Sequence, residues 1–249
     1  MHPARYISAV ALLLTTWPAL AQAPPKAPPV KPYKAVALVP PNPVTDATFE
    51  AMRKQLADVA TRKDRAALSK LVVGQGFFWD RENGNGADAR KPGLDNLAAA
   101  LGLNNKDGVG WDLLATFADD PTASASPDHK AALCSPADPA FNAKDLDDLT
   151  DATGTDLSEW GYPVVDGVEL RAAGQPNAPV VDKLGLYFVH VLPDAITGSP
   201  TFLHVALPNG KTGYVSIDAI APMGNDQICY VKDGGNWKIG GYVGGGEPQ

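Results

Sequence analysis

The sequence predicts an α+β fold: a mainly helical region over residues 45–160, a small β-barrel over 161–221, and a C-terminal hairpin and tail over 222–249 that packs back on the helical region. Three observations lead there. From Phe49 onward, apolar residues recur at spacings of three and four, the helical period. After Gly167 the texture changes to short β-rich runs broken by turn residues. The tail, QICYVKDGGNWKIGGYVGGGE, reads as two apolar strands around Asp233-Gly234-Gly235.

Residues 1–23 have the layout of a secretory signal peptide. Arg5 gives a basic start, Ala9 to Leu14 (AVALLL) an apolar core, and Ala21-Gln22-Ala23 the small-x-small pattern of a cleavage site. A membrane span needs about 20 apolar residues, and Thr15, Thr16 and Pro18 interrupt this stretch. Cleavage after Ala23, a periplasmic or secreted location and no stable membrane insertion are therefore expected. Cleavage leaves 249 − 23 = 226 residues, and the net charge becomes 20 − 28 = −8 because Arg5 is lost. An acidic chain without a basic run repels phosphate backbones, which argues against a nucleic-acid partner. The two cysteines, Cys134 and Cys229, are expected to form one disulfide in an oxidising compartment.

Residues 24–44 are proline-rich and read as a semi-rigid linker. Asp46 then caps a helix carrying Phe49, Met52, Leu56 and Val59 on one face, and Asp64 caps a second, DRAALSKLVV. Phe77-Phe78-Trp79 is a short apolar strand, and Arg81 to Gly93 is a loop by composition. Three shorter helices follow: Leu94 to Leu101 before Gly102, Trp111 to Ala118 before Pro121, and Ala143 to Thr150 after Asn142.

From Gly167, Val168 and Leu170 alternate with Glu169 and Arg171, as in a half-buried strand. Tyr187 to Leu192 is a strand of high β-propensity, and Pro208-Asn209-Gly210 is a tight hairpin turn after Phe202, Val205 and Leu207. Val168-Glu169-Leu170-Arg171-Ala172, Pro179-Val180-Val181 and Asn209-Gly210-Lys211-Thr212-Gly213-Tyr214-Val215 together resemble a bacterial SH3-like domain over residues 167–221. That resemblance implies a small barrel whose Tyr187, Phe202 and Tyr214 hold a peptide or cell-wall component.

Such domains accompany cell-wall cysteine peptidases, but Cys134 leads into the loop-like ADPAFN instead of an apolar helix, so a disulfide is the expected role. No G-x-S-x-G, S-x-x-K, H-E-x-x-H or P-loop is present. His129 lies in a loop, while His190 and His204 lie in strands, two imidazoles that make a poor metal site alone. The run Asp145, Asp147, Asp148, Asp151 and Asp156 lacks calcium-loop spacing and reads as a solvated helix start. No cofactor or metal is expected. The sequence supports a non-catalytic binding or interaction protein. The alternative is a secreted hydrolase with a site near Trp79, Asp80 and Glu82.

Overall fold

The computed structural model describes residues 30–81, 83–193 and 201–244. The proposed signal peptide, the start of the proline-rich stretch and Glu82 lie outside the described residues. The described chain begins as an extended strap. Val36 and Leu38 are buried in it, and it ends in strand β1 (Leu38–Val39). Three backbone hydrogen bonds fasten it, from Tyr33 N–H to the Pro208 carbonyl, from Leu38 N–H to the Leu186 carbonyl and from Phe188 N–H to the Val36 carbonyl.

Helix α1 (Ala47–Thr61) starts where Asp46 accepts hydrogen bonds from the Thr48 and Phe49 backbone N–H groups, which satisfies donors the first turn would leave unpaired. A hydrogen bond from the Thr48 hydroxyl at 2.6 Å, and then these backbone contacts, push the Asp46 carboxyl from an ordinary 3.8 down to about 2. A depressed folded-state value means this stabilisation is complete above about pH 4 and is lost as pH falls toward 2. Asp46→Asn keeps a capping oxygen without the charge. It is expected to leave the melt at pH 7 nearly unchanged and to flatten the acid limb of stability, as read by thermal denaturation between pH 2 and 5.

Helix α2 (Arg65–Leu71) is capped by Asp64. Strands β2 (Phe78–Arg81) and β3 (Gly84–Asn85) follow, then helices α3 (Gly93–Leu101) and α4 (Val109–Asp119). Glycine is required where α3 meets its neighbour, because a Cβ on Gly93 would lie 2.2 Å from the Val73 carbonyl oxygen. Short strands β4 (Ser124–Ala125), β5 (Leu133–Ser135) and β6 (Ala140–Phe141) precede helix α5 (Ala143–Thr153). The second half then supplies β7 (Trp160–Pro163), β8 (Val168–Arg171), β9 (Val180–Leu184), β10 (Val189–Val191), β11 (Phe202–Ala206), β12 (Thr212–Ser216) and β13 (Ile220–Pro222). The last two strands are β14 (Gln227–Asp233) and β15 (Asn236–Val243).

This arrangement corrects the expected fold class. Residues 45–160 are not a mainly helical region, because strands β2 to β6 are interspersed among helices α1 to α5. Nor do 161–221 close into a barrel. Strands β7 to β13 form an open seven-stranded sheet in the order β13-β7-β10-β11-β12-β8-β9. Its ends, β13 and β9, do not pair with each other, because Ile220 to Pro222 turn back onto β7. The C-terminal hairpin packs on helices α1 to α4 as expected, but it is not a separate appendage. It forms the middle of a six-stranded sheet, β3-β2-β15-β14-β5-β4.

Each sheet has its own core. Helices α1 to α4 cover one face of the six-stranded sheet, where Phe49, Leu56, Leu68, Leu97 and Leu114 meet Ile228, Tyr230, Ile239 and Tyr242. Across the opposite face runs a single row of cross-strand partners: Phe78, Gly241, Cys229, Cys134 and Ser124. A Cβ on Gly241 would sit 2.3 Å from the Phe78 ring, so glycine is what lets that ring lie flat on the sheet. The inner face of the seven-stranded sheet buries Val168, Leu170, Leu184, Val189, Val205 and Val215. Its outer face meets the strap and α5 through Val36, Leu38, Leu146, Leu149, Trp160 and Phe188.

Candidate ligand cleft

The strap, α5 and the outer face of the seven-stranded sheet meet around a cleft of about 570 Å³, within the usual range for small-ligand sites. Trp160 of β7 forms its floor, fully buried and stacked on His190 of β10 at 5.2 Å between ring centroids. The two are direct cross-strand partners, which is why their rings share a face. Tyr33 of the strap meets Trp160 edge-on at 5.0 Å. Its hydroxyl lies 3.1 Å and 2.9 Å from the carbonyl oxygens of Phe188 and Ala206, and burial raises its pKa well above the usual phenol range.

The polar groups of the cleft come from three elements. The Trp160 indole N–H donates to Thr155 Oγ1 at 2.8 Å, and Thr153 Oγ1 lies 2.8 Å from the same oxygen. His190 Nε2 is 3.2 Å from Glu159 Oε2. The Asp156 backbone N–H and then His190 hold the Glu159 carboxyl below the usual carboxylate range. On the rim, Lys34 Nζ meets Asp145 Oδ1 at 2.7 Å, with Lys31 and Asp148 beside them. The cleft thus joins an aromatic floor and hydroxyl-bearing wall to a rim carrying both charge signs.

The residues expected from sequence fall elsewhere. Phe202 and Tyr214 come together around Gly174, whose Cβ would lie 3.5 Å and 3.3 Å from their side chains. Tyr214 stacks on its cross-strand partner His204 at 4.6 Å, and Phe202 lines a second cleft of about 310 Å³ with Glu169, Arg171 and Pro176. Tyr187 is not with them: it bridges Ala37 of the strap, on the approach to β10. His190 opposes Ala206, and His204 opposes Tyr214.

Cys134 and Cys229 are bonded to each other, buried and directly opposite on β5 and β14. Trp79 is buried in the helical core, with its indole N–H donating to the Gly244 carbonyl at 3.0 Å. Asp80 emerges on the other face, where its Oδ2 lies 2.6 Å from His129 Nε2. The His129 ring stacks on Phe78 at 3.5 Å. Sequence reasoning missed this pair because 49 residues separate its members. It also missed Tyr33 and the Glu159–His190 contact, for which only the aromatic character of Trp160 and the strand position of His190 gave any signal.

No protein-family model matches the chain, and a comparison with curated proteins finds no relative. Among the described residues, no helix is long and apolar enough to cross a membrane, and no group of three or more His, Cys, Asp or Glu side chains could hold a metal ion.

Proposed function

We propose that the protein is a non-catalytic binding protein of the periplasm or cell exterior, and that the Tyr33–Trp160–His190 cleft holds a short peptide or a cell-wall peptide. The cleft itself carries this reading. Its aromatic floor suits an apolar side chain, while lysines and aspartates at one rim suit a ligand with both an ammonium and a carboxylate. The buried disulfide and the signal-like residues 1–23 support the compartment. The likeness of residues 167–221 to bacterial SH3-like domains points toward the cell wall.

Ala152 is exposed on α5 at the cleft wall, so a larger side chain there fills the cleft without entering a core. Ala152→Trp is expected to leave the melting temperature within a few degrees and to abolish retention on purified peptidoglycan. Equal retention of both forms would remove the cleft from the account.

The Asp80–His129 pair supports a second reading, a hydrolase that uses His129 as a general base oriented by Asp80. This reading requires turnover of cell-wall fragments that falls at least a hundredfold in His129→Gln, in line with the usual contribution of about 10²–10⁴ from acid–base catalysis. Absence of turnover in the unmodified protein rejects it.

A further inference from the structure

We propose a second, independent ligand site for an acidic sugar in the groove between α1, the end of α2 and the turn of the C-terminal hairpin. The groove encloses about 500 Å³, and Met52, Gln55, Lys70, Asn236, Trp237 and Lys238 line it. No carboxylate is among the lining residues, although Asp and Glu outnumber Lys and Arg by 28 to 21 in the chain. Of the two lysines that line it, Lys238 is paired with Asp233, so Lys70 supplies the uncompensated charge, and charge complementarity there selects an anion.

The wall of the groove is fixed before any ligand arrives. The Trp237 indole N–H donates to Thr48 Oγ1 at 3.2 Å, and the ring meets Phe49 edge-on at 5.2 Å. Lys232 Nζ lies 4.8 Å from the ring centroid and is itself 3.7 Å from Asp46. Lys238 is held at 2.7 Å by Asp233. Lys70 makes no ion pair among the described residues and is exposed, so its ammonium is free to meet a carboxylate.

The remaining chemistry favours a sugar over a peptide. Gln55 and Asn236 offer exposed amides that can both donate to and accept from hydroxyl groups. An indole presents the flat apolar surface on which the C–H face of a sugar ring rests. A peptide bound as an added strand would need an open strand edge. From Ile239 onward, β15 is flanked by Val72, Val73 and β2 as well as by β14. Only Asn236 to Lys238 are left open, fewer than the five or six residues of a usual strand.

The test titrates the full chain with a galacturonic-acid disaccharide, a neutral disaccharide and an acidic hexapeptide, read by amide chemical shifts and calorimetry. The acidic sugar is expected to shift resonances at Gln55, Asn236 and the Trp237 indole and to bind more weakly as salt rises. Lys70→Gln is expected to weaken it by about tenfold, the loss of one charge-assisted hydrogen bond. Gln55→Glu, exposed and nearly isosteric, should weaken it through repulsion even if the first variant misfolds. Binding of the neutral sugar with equal affinity, binding of the hexapeptide at these residues, or no binding of the acidic sugar would each overturn the proposal. Because the Tyr33–Trp160 cleft is not involved, Ala152→Trp should leave this binding unchanged.

Discussion

Replacing Cys134 and Cys229 together with alanine is expected to lower the unfolding free energy by about 4–5 kcal/mol. The bond closes a loop with a sequence separation of 95, long enough that the unbridged unfolded chain gains substantial conformational freedom. Natural domains unfold with about 5–15 kcal/mol, so this loss is a large fraction of the total. Both sulfurs are buried beneath Phe78, Val231 and Val243, which should keep reductant out of the native state. Urea denaturation of the oxidised protein and the double variant measures the difference. A change below about 1 kcal/mol would mean that the β5–β14 pairing already restricts the unfolded chain.

Truncation after Pro222 should have a still larger effect, namely loss of the cooperative transition of the helical core. It removes β14 and β15, the central strands that join β2 and β3 to β5 and β4. With them go Ile228, Tyr230, Ile239 and Tyr242, all fully buried against α1 to α4. Truncating even one such large side chain typically costs about 2–5 kcal/mol. The shortened chain is expected to show a broad melt by circular dichroism and rapid amide exchange in α1 and α4. A sharp transition close to that of the full chain would show that the helices hold together without the hairpin.

These effects also explain what was legible in the sequence. Helix starts were legible because their chemistry is local: Asp46, Asp64 and Asn142 each accept a backbone N–H two or three residues ahead. The helix expected to stop at Thr150 runs on to Thr153 before Gly154, whereas Gly102 ends its helix with positive φ, the conformation glycine adopts without penalty. The tight turns at Asn209-Gly210 and Gly234-Gly235 were readable for the same reason. Strands β3, β4 and β6 were not, since two residues cannot display a period. The parallel pairing of β15 with β2 joins Gly241 to Phe78, a contact no local rule anticipates. The expectation of a barrel failed at the ends, where β13 found a neighbour in β7, outside the Val168–Ile220 stretch.

The candidate cleft was hidden by the same distance effect. Its floor, Trp160 and His190, comes from strands paired across 30 positions, and its far wall, Tyr33, lies in a proline-rich stretch whose composition suggests a spacer. Packing of Val36 and Leu38 onto α5 and the sheet, with the hydrogen bonds of Tyr33 to Phe188, Ala206 and Pro208, brings Tyr33 to the tryptophan.

The central claim is that this cleft is the ligand site, and amide shift mapping with a soluble cell-wall stem peptide tests it most directly. The predicted result is a cluster of perturbed resonances at Tyr33, Thr155, the Trp160 indole and His190, saturating with peptide and absent in Ala152→Trp. Saturable shifts confined to Phe202 and Tyr214, or to Asp80 and His129, would place the site elsewhere and contradict the account.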